Sequence, residues 1–192
     1  VLGGGSFGTV LANLAASNDY KVSLWVRDAE QALRIKSEGA NTPCHPELKL
    51  SDNIQATEDL NEVMRDASII FIATPSIIFE QIMNRISELI DNKAYVISCT
   101  KGILENPFRS MTDVIQNKIK NDVGVLSGPN LAKEIAQNKI AGTVIASNNE
   151  DLIKLVKDTL SSKTFKIFSS NDIQGVELGG ALKNIYAIIC GL

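Results

Sequence analysis

The sequence predicts an α/β fold in which helices cover a mainly parallel, doubly wound sheet. Short apolar runs alternate along the chain with longer segments of helical period, a pattern typical of repeated strand–helix units. The run at 68–73, Ser-Ile-Ile-Phe-Ile-Ala, is apolar on both faces, as a strand buried in a parallel sheet must be. A glycine cluster after the first apolar run marks a turn from a first strand into a first helix.

The alternation places each element in turn. Strands are expected at 1–2, 21–26, 54–56, 68–73, 94–99, 123–126, 143–146 and 165–168. Helices are expected at 8–16, 29–37, 58–65, 77–90, 107–118, 131–137 and 151–160. The apolar segment at 176–192, with Lys183 as its central charge, is expected to be a buried helix that begins a second unit. We therefore divide the chain into a first domain at 1–170 and the start of a second at 171–192.

Length, charge and composition argue against several classes of function. With 192 residues, the chain suffices for one domain with a small appendage. Its net charge of −3 and its lack of a basic block argue against nucleic acid as the main partner. No apolar run is long enough for a transmembrane helix, so we expect no membrane insertion. The three cysteines are far apart and odd in number, which argues against a disulfide framework or a zinc site and suits a reducing cytosol.

Gly3, Gly5 and Gly8 fit the pattern G-x-G-x-x-G. The three glycines would provide a tight turn, close approach of the backbone to a pyrophosphate, and close packing of helix on strand. The N-terminus of the following helix would offer free N–H groups and a positive dipole end to the phosphates. Because a strand precedes the pattern and a helix and second strand follow it, dinucleotide binding is predicted. A glycine-rich turn in another kind of α/β protein is the alternative.

The tip of the second strand bears on the choice of dinucleotide. An acidic residue there would accept from the ribose 2′-hydroxyl, whereas an arginine would suit a 2′-phosphate or stack on the adenine. Arg27 occupies this tip and Asp28 follows it. NADP(H) is therefore expected at least as much as NAD(H), and both stay open. A solvated arginine that begins a loop is the alternative.

Two further strand ends fall on the edge where open α/β sheets bind their ligands. Lys101 follows the strand at 94–99, where it is either a site lysine or a surface lysine. The junction Ser-Gly-Pro-Asn at 127–130 either presents backbone N–H groups to an anion or simply starts a helix.

The segment at 177–185 is unusual because it places two adjacent glycines, Gly179 and Gly180, in a helical pattern. Glycine weakens a helix interior by about 1 kcal/mol relative to alanine, so something large is expected to approach there. A lysine alone among apolar neighbours, as Lys183 is, would be partly desolvated. Desolvation lowers the pKa of a lysine and helps it act as acid and base near neutral pH. A lysine whose charged end reaches solvent is the alternative.

Five motifs occur in one order along almost the whole chain. They are Gly3-Gly4-Gly5-Ser6-Phe7-Gly8, Leu-Trp-Val-Arg at 24–27, Thr100-Lys101-Gly102, Gly128-Pro129-Asn130-Leu131-Ala132-Lys133-Glu134 and Gly179-Gly180-Ala181-Leu182-Lys183-Asn184. With this order and spacing, the chain resembles the NAD(P)-dependent sn-glycerol-3-phosphate dehydrogenases of the bacterial type. The resemblance implies a Rossmann-like NAD(P)-binding domain, followed by the first helix of a truncated all-helical C-terminal domain that holds the substrate. It also implies reversible reduction of dihydroxyacetone phosphate to sn-glycerol 3-phosphate, at the entry to glycerophospholipid synthesis.

The resemblance also implies roles for individual residues. Contacts with NADP(H) or NAD(H) are expected from Gly3, Gly5, Ser6, Phe7, Gly8, Arg27, Lys101 and Ala132. Contacts with substrate are expected from Lys101, Gly128, Asn130, Lys183 and Asn184. Lys183 would be the proton donor and acceptor at the ketone oxygen, and a second lysine would polarise that oxygen and offset the substrate phosphate. A cytoplasmic location and a homodimer are expected on the same ground.

Three departures from the family pattern stand out. The loop at 41–47, Asn-Thr-Pro-Cys-His-Pro-Glu, keeps only the Asn and the second Pro of the family's Asn-x-x-Tyr-Leu-Pro-Gly. His45 in this loop is expected to be an exposed residue and not a catalytic base. Asn130 stands where Ser or Thr is commoner. The helical domain is missing, so we expect this chain to be a piece of a longer protein.

Two other functions stay open. One is a related dinucleotide-dependent dehydrogenase that acts on another hydroxy acid or a sugar acid. The other is a non-catalytic nucleotide-binding module that senses redox state. The Gly-Gly-Ala-Leu-Lys-Asn segment argues against the first, and the presence of both Lys101 and Lys183 argues against the second.

Overall fold

A computed structural model describes residues 1–191. The strands are β1 (Val22–Trp25), β2 (Ile54–Thr57), β3 (Ile69–Ile72), β4 (Tyr95–Ser98), β5 (Ile103–Leu104), β6 (Arg109–Ser110), β7 (Val123–Ser127), β8 (Ala141–Ser147) and β9 (Phe165–Ser170). The helices are α1 (Ser6–Ser17), α2 (Ala29–Glu38), α3 (Leu60–Met64), α4 (Ser76–Ile86), α5 (Met111–Gln116), α6 (Ala132–Ala136), α7 (Glu150–Leu160) and α8 (Ile173–Cys190).

Leu2 joins the two parts of the main sheet. It forms parallel bridges with Trp25 at the end of β1 and with Ile72 at the end of β3. The pair β1–β2 lies on one side, and β3, β4, β7, β8 and β9 follow on the other. Within this sheet, as described for residues 1–191, β7–β8 is the one antiparallel pair. The chain therefore winds outward in both directions from its first strand, as in a Rossmann-like fold, and ligands bind such sheets at the carboxyl edge beside the reversal point.

Both faces of the sheet are covered by helices. Alternate residues of β3 point to different sides: Phe71 packs in the cluster that includes α1, α2 and α7, whereas Ile70 and Ile72 pack in the cluster that includes α3, α4 and α5. A strand that is apolar on both faces has this arrangement because successive side chains alternate across the sheet. The predicted α/β class and mainly parallel sheet are confirmed.

The region at 103–116 differs from the prediction. The expected helix at 107–118 begins only at Met111, because Ser110 and Asp113 form a capping box that starts α5 there. The preceding residues form the short antiparallel pair β5–β6, in which Leu104 lies opposite Arg109. The Arg109 guanidinium holds Glu80 of α4 in a bidentate ion pair at 2.7 and 3.2 Å, which attaches this hairpin to α4.

The last helix is longer than predicted and less buried. α8 contacts β7 and β8 through its first half, but Ile185, Tyr186, Ile188 and Ile189 are all more than half exposed. The expectation of a buried helix is therefore wrong for the second half, because no described element reaches that side of α8. Within residues 1–191, no helix combines the length and the apolar character that crossing a membrane requires.

Candidate functional site

The glycine loop joins Leu2 to α1 at the carboxyl edge of the sheet. Gly3 has a φ of +121°, and a Cβ there would lie 2.6 Å from the carbonyl oxygen of Ala73. A Cβ at Gly8 would overlap the carbonyl oxygen of Gly3, so this glycine lets α1 pack directly on the turn. Nothing lies within 4 Å of the Cβ position at Gly5, which lines an open cleft. The loop thus leaves one backbone face open for a ligand.

This cleft has a volume of about 640 Å³ and lies between the glycine loop and the ends of β1, β3 and β4. Several residues of the predicted site line it: Gly3, Gly5, Ser6, Phe7, Arg27, Lys101 and Asn130. Gly8, Gly128, Ala132 and Lys183 do not line it. Ala132 begins α6 and packs against the core. The side chain of Asn184 lies outside the described part of the structure.

The cleft also includes residues that the sequence analysis missed. Thr74 and Pro75 follow the end of β3 after one intervening residue, and Pro75 precedes the first turn of α4. The hydroxyl oxygen of Thr74 is buried and has no hydrogen-bond partner among the described residues. The sequence could have predicted both residues as part of the site, because they follow the apolar run at 68–73 and therefore lie on the edge where ligands bind.

Arg27 and Asp28 both line the cleft, but their side chains differ in what they contact. The Asp28 carboxylate caps α2, where it accepts from the Glu30 N–H at 3.0 Å, and it lies 4.0 Å from Arg34. Arg27 is exposed at the cleft. The acidic group is thus engaged by its own helix, and the guanidinium is the group available to a ligand.

Lys101 lies half-buried beside the cleft. Its ammonium donates to the carbonyl oxygen of Gly128 at 3.0 Å. Burial first, and then the positive charge of the neighbouring Lys183, lower the pKa of Lys101 from 10.5 to about 8. The lowered pKa is therefore found at Lys101, whereas the sequence analysis expected a lowered pKa at Lys183.

Asn130 leaves a hydrogen-bond acceptor unused in a buried position. Its amide nitrogen donates to the Thr143 hydroxyl at 2.9 Å, and that hydroxyl donates to the carbonyl oxygen of Ser127 at 3.0 Å. The amide oxygen has no partner among residues 1–191, although Asn130 is only 7% exposed. A buried acceptor without a donor is costly, so a ligand hydroxyl is a fitting partner for it.

Two contacts hold α8 beside this edge. Glu177 is 3% exposed, and its carboxylate accepts from both the backbone N–H and the hydroxyl of Thr112. A Cβ at Gly180 would overlap the Ser127 hydroxyl, which explains this glycine as a close approach of β7, as predicted. Nothing lies within 4 Å of the corresponding position at Gly179. Glu177 was missed because its partner is distant in the sequence.

The sequence model for the family described as "NAD-dependent glycerol-3-phosphate dehydrogenase N-terminus" matches residues 1–153. The chain belongs to this family. The description agrees with the dinucleotide predicted from the glycine loop, and with the resemblance read from the five motifs.

Curated relatives cover the whole chain. The glycerol-3-phosphate dehydrogenase [NAD(P)+] of Teredinibacter turnerae is 44% identical over 193 residues, which are 100% of this chain and 57% of that protein. The protein of the same name from Alcanivorax borkumensis is 45% identical, over 100% of this chain and 56% of its own. The chain thus spans little more than half the length of these relatives.

Solved structures agree with the fold. Glycerol-3-phosphate dehydrogenase from Coxiella burnetii superposes with a TM-score of 0.93 at 33% identity, over 99% of this chain and 58% of that one. The Plasmodium falciparum enzyme gives a TM-score of 0.93 at 28% identity, over 99% and 57% of the two chains. A UDP-D-ManNAc dehydrogenase from Pyrococcus horikoshii, at 19% identity and a TM-score of 0.75, shares the fold alone.

The loop at 41–47, which departs from the family pattern, packs against the glycine loop. His45 was expected to be exposed but is only 6% exposed, because its Nε2 lies 2.9 Å from the carbonyl oxygen of Ser6. Asn41 is 1% exposed and contacts Gly4 and Thr9. Among the described residues, no group of three or more His, Cys, Asp or Glu side chains is placed to hold a metal ion.

Proposed function

We propose that the intact protein reduces dihydroxyacetone phosphate reversibly to sn-glycerol 3-phosphate with NADPH or NADH. The observation that carries this proposal is Lys101, which lines the cleft, donates to the Gly128 carbonyl, and has a pKa lowered by burial and by the charge of Lys183. A ketone that carries a phosphate needs positive charge for its phosphate and an acid for its oxygen, and two adjacent lysines supply both.

The residues of the cleft fit a dinucleotide. The open backbone face at Gly5 and the first turn of α1 would hold the pyrophosphate, because unpaired N–H groups and the positive end of the helix dipole attract anions. Arg27 would hold a 2′-phosphate or stack on the adenine. When bound, the reduced nicotinamide supplies the two electrons and the hydrogen that reach the ketone carbon.

The chain's own groups handle the proton and the charge. Lys183 would donate a proton to the ketone oxygen as negative charge develops there, and would take it back in the reverse direction. With its pKa lowered to about 8, Lys101 is still mostly an ammonium at neutral pH and would offset the substrate phosphate. The free amide oxygen of Asn130 would accept from a substrate hydroxyl. Gly128, Ala132 and Asn184 stay predicted contacts.

The wider proposal follows the same lines. Residues 1–170 form the NAD(P)-binding domain, and 171–192 begin a helical substrate domain that covers the apolar side of α8; large exposed apolar patches commonly mark such interfaces. Three cysteines without disulfides support a cytoplasmic location. A homodimer stays a prediction from the family.

The test is the rate of NADPH and NADH oxidation by the intact protein with dihydroxyacetone phosphate. We expect Lys183→Met to abolish turnover while the Kd for NADPH stays within about twofold, because the change removes only the acid. Lys166→Met is the matched control, since it makes the same substitution at an exposed lysine of β9, outside the residues that line the cleft.

The alternatives predict different results. Faster turnover of a hydroxy acid or sugar acid in a substrate panel would favour the related dehydrogenase. Tight NADPH binding without turnover of any substrate would favour the redox-sensing module. A fully active Lys183→Met protein would remove the assigned proton donor.

A further inference from the structure

The carbonyl group of Gly4, inside the glycine loop, accepts from three side chains outside the loop, of which the Cys44 thiol, at 3.6 Å, is the weakest donor. Gln31 of α2 donates to this oxygen through Nε2 at 2.7 Å, and Asn41 donates through Nδ2 at 2.9 Å. Both acceptor positions of one carbonyl oxygen are therefore occupied. The direction of the Gly4 carbonyl is fixed from the side of α2 and the loop at 41–47.

The Asn41 amide is fully used. Its second N–H donates to the Thr9 hydroxyl oxygen at 2.7 Å, and its own oxygen accepts from Gln31 Nε2 at 3.1 Å. The residue is 1% exposed, so solvent competes for none of these bonds. A buried amide with every hydrogen bond made holds one orientation, because any rotation would leave a polar group unpaired.

The carbonyl of Ser6, the first residue of α1, also meets a side chain. His45 Nε2 lies 2.9 Å from the carbonyl oxygen of Ser6. A carbonyl oxygen only accepts, so Nε2 carries the proton and donates it. Asn41 and His45 both lie outside the cleft, whereas Gly4 and Ser6 line it.

The peptide geometry determines what these bonds do for the cleft. The peptide bonds after Gly4 and after Ser6 are trans, so each C=O points opposite to the N–H of the next residue. Holding the two carbonyls toward Gln31, Asn41 and His45 therefore turns the N–H groups of Gly5 and Phe7 the other way. Both of these residues line the cleft, and neither N–H donates to another described residue.

We propose that Gln31, Asn41 and His45 form a brace that preorganises the glycine loop for the dinucleotide pyrophosphate. They are positioning residues: they act through the backbone, and the N–H groups of Gly5 and Phe7 make the contact. The inference rests on the proposed function, since it assumes that the cleft binds a dinucleotide.

The experiment compares two ligands by titration calorimetry on the intact protein. NADPH contains the pyrophosphate, whereas adenosine 2′-monophosphate lacks it. We expect Asn41→Leu to raise the Kd for NADPH by about tenfold or more, as loss of one organising hydrogen bond does, and to change the Kd for the monophosphate less than about twofold. The substitution is uncharged, so repulsion of phosphate plays no part.

Asn121→Leu is the matched control. The Asn121 amide also donates to two backbone carbonyls, those of Asp91 and Ala94 at 2.8 and 2.7 Å, but it lies at the amino ends of the strands, away from the cleft. The Kd values of Asn121→Leu for both ligands are expected to match those of the wild-type protein. If Asn41→Leu fails to fold, His45→Leu provides the same test, and His45→Gln, whose amide can still donate to Ser6, is expected to restore binding.

The outcomes separate the two hypotheses. A wild-type protein that binds no NADPH would overturn the proposed function. If the wild-type protein binds NADPH and the Asn41 and His45 variants bind it equally well, the brace is wrong and the function stands. Equal weakening of both ligands would also reject the brace, because it would indicate general loosening of the domain.

Discussion

The carboxylate of Glu177 holds the first turn of α5 through a single residue, Thr112. One oxygen accepts from the Thr112 backbone N–H at 3.0 Å and the other from its hydroxyl at 2.5 Å. This pair joins α8, which carries Lys183, to the dinucleotide-binding domain. Buried carboxylates that accept from the first turn of a helix are favoured by the helix dipole.

Glu177→Gln should destabilise the protein, because an amide presents only one acceptor to the two Thr112 donors. We expect the free energy of unfolding in urea to fall by about 1–3 kcal/mol, the range for a buried hydrogen bond to a charged group. Glu88→Gln, at an exposed position, is the control. Equal unfolding energies for the two variants would contradict the assigned contact.

The two glycines of α8 should respond in opposite directions to alanine. Gly179→Ala should stabilise the helix by up to about 1 kcal/mol, because its Cβ position is open. Gly180→Ala should destabilise the protein and reduce turnover, since its Cβ would overlap the Ser127 hydroxyl and push α8 away. Thermal unfolding and kcat measure both effects.

Ser127→Ala tests the cause of the Gly180→Ala effect. Removing the hydroxyl leaves the Ser127 Cβ as the nearest atom, 3.3 Å from the added methyl group. The double variant should therefore recover most of the lost stability. A double variant as unstable as Gly180→Ala alone would show that another contact is responsible.

The pKa of Lys101 should be visible in its reactivity. Only the neutral amine reacts with an acylating reagent, and a pKa of about 8 makes Lys101 neutral at a lower pH than a lysine with the ordinary value of 10.5. Mass spectrometry should therefore find the labelling rate of Lys101 half-maximal near pH 8. In Lys183→Met this midpoint should rise, because a neighbouring positive charge is removed. An unchanged midpoint would place the two lysines too far apart to interact.

The same pKa shift has a consequence for stability. The folded protein disfavours the charged form of Lys101, so between pH 8 and 10.5 the unfolded chain binds more protons than the folded one. The stability cost is therefore full below pH 8 and is relieved as pH rises toward 10.5. Across that window, the free energy of unfolding in urea should rise for the wild-type protein relative to that of Lys101→Met. A constant difference between the two proteins would contradict the shift.

Arg27 should decide between the two dinucleotides. Arg27→Gln should raise the KM for NADPH by about tenfold or more, the loss expected for a charge-assisted bond to a phosphate, and leave the KM for NADH nearly unchanged. Arg34→Gln is the control, because its guanidinium faces Asp28 and Glu30 at 4.0 and 3.8 Å. Equal losses for both cofactors would instead indicate stacking of Arg27 on the adenine.

The strand–helix alternation and the glycine loop could be predicted because both depend on local sequence. The hairpin β5–β6 could not, since two-residue strands are too short to show a period. The positions of His45 and Glu177 depend on partners 39 and 65 residues away, respectively. Loop residues usually lie on the surface, which is why His45 was wrongly predicted to be exposed.

Leu2 has a consequence for how the protein assembles. Its neighbours in the sheet are Trp25, at the end of β1, and Ile72, at the end of β3. The inner edges of β1 and β3 therefore find their hydrogen-bond partner only when both strands lie beside this one segment. The two parts of the sheet are therefore expected to form in one cooperative event governed by contacts between distant parts of the chain, which makes folding slow compared with a helical bundle of equal length.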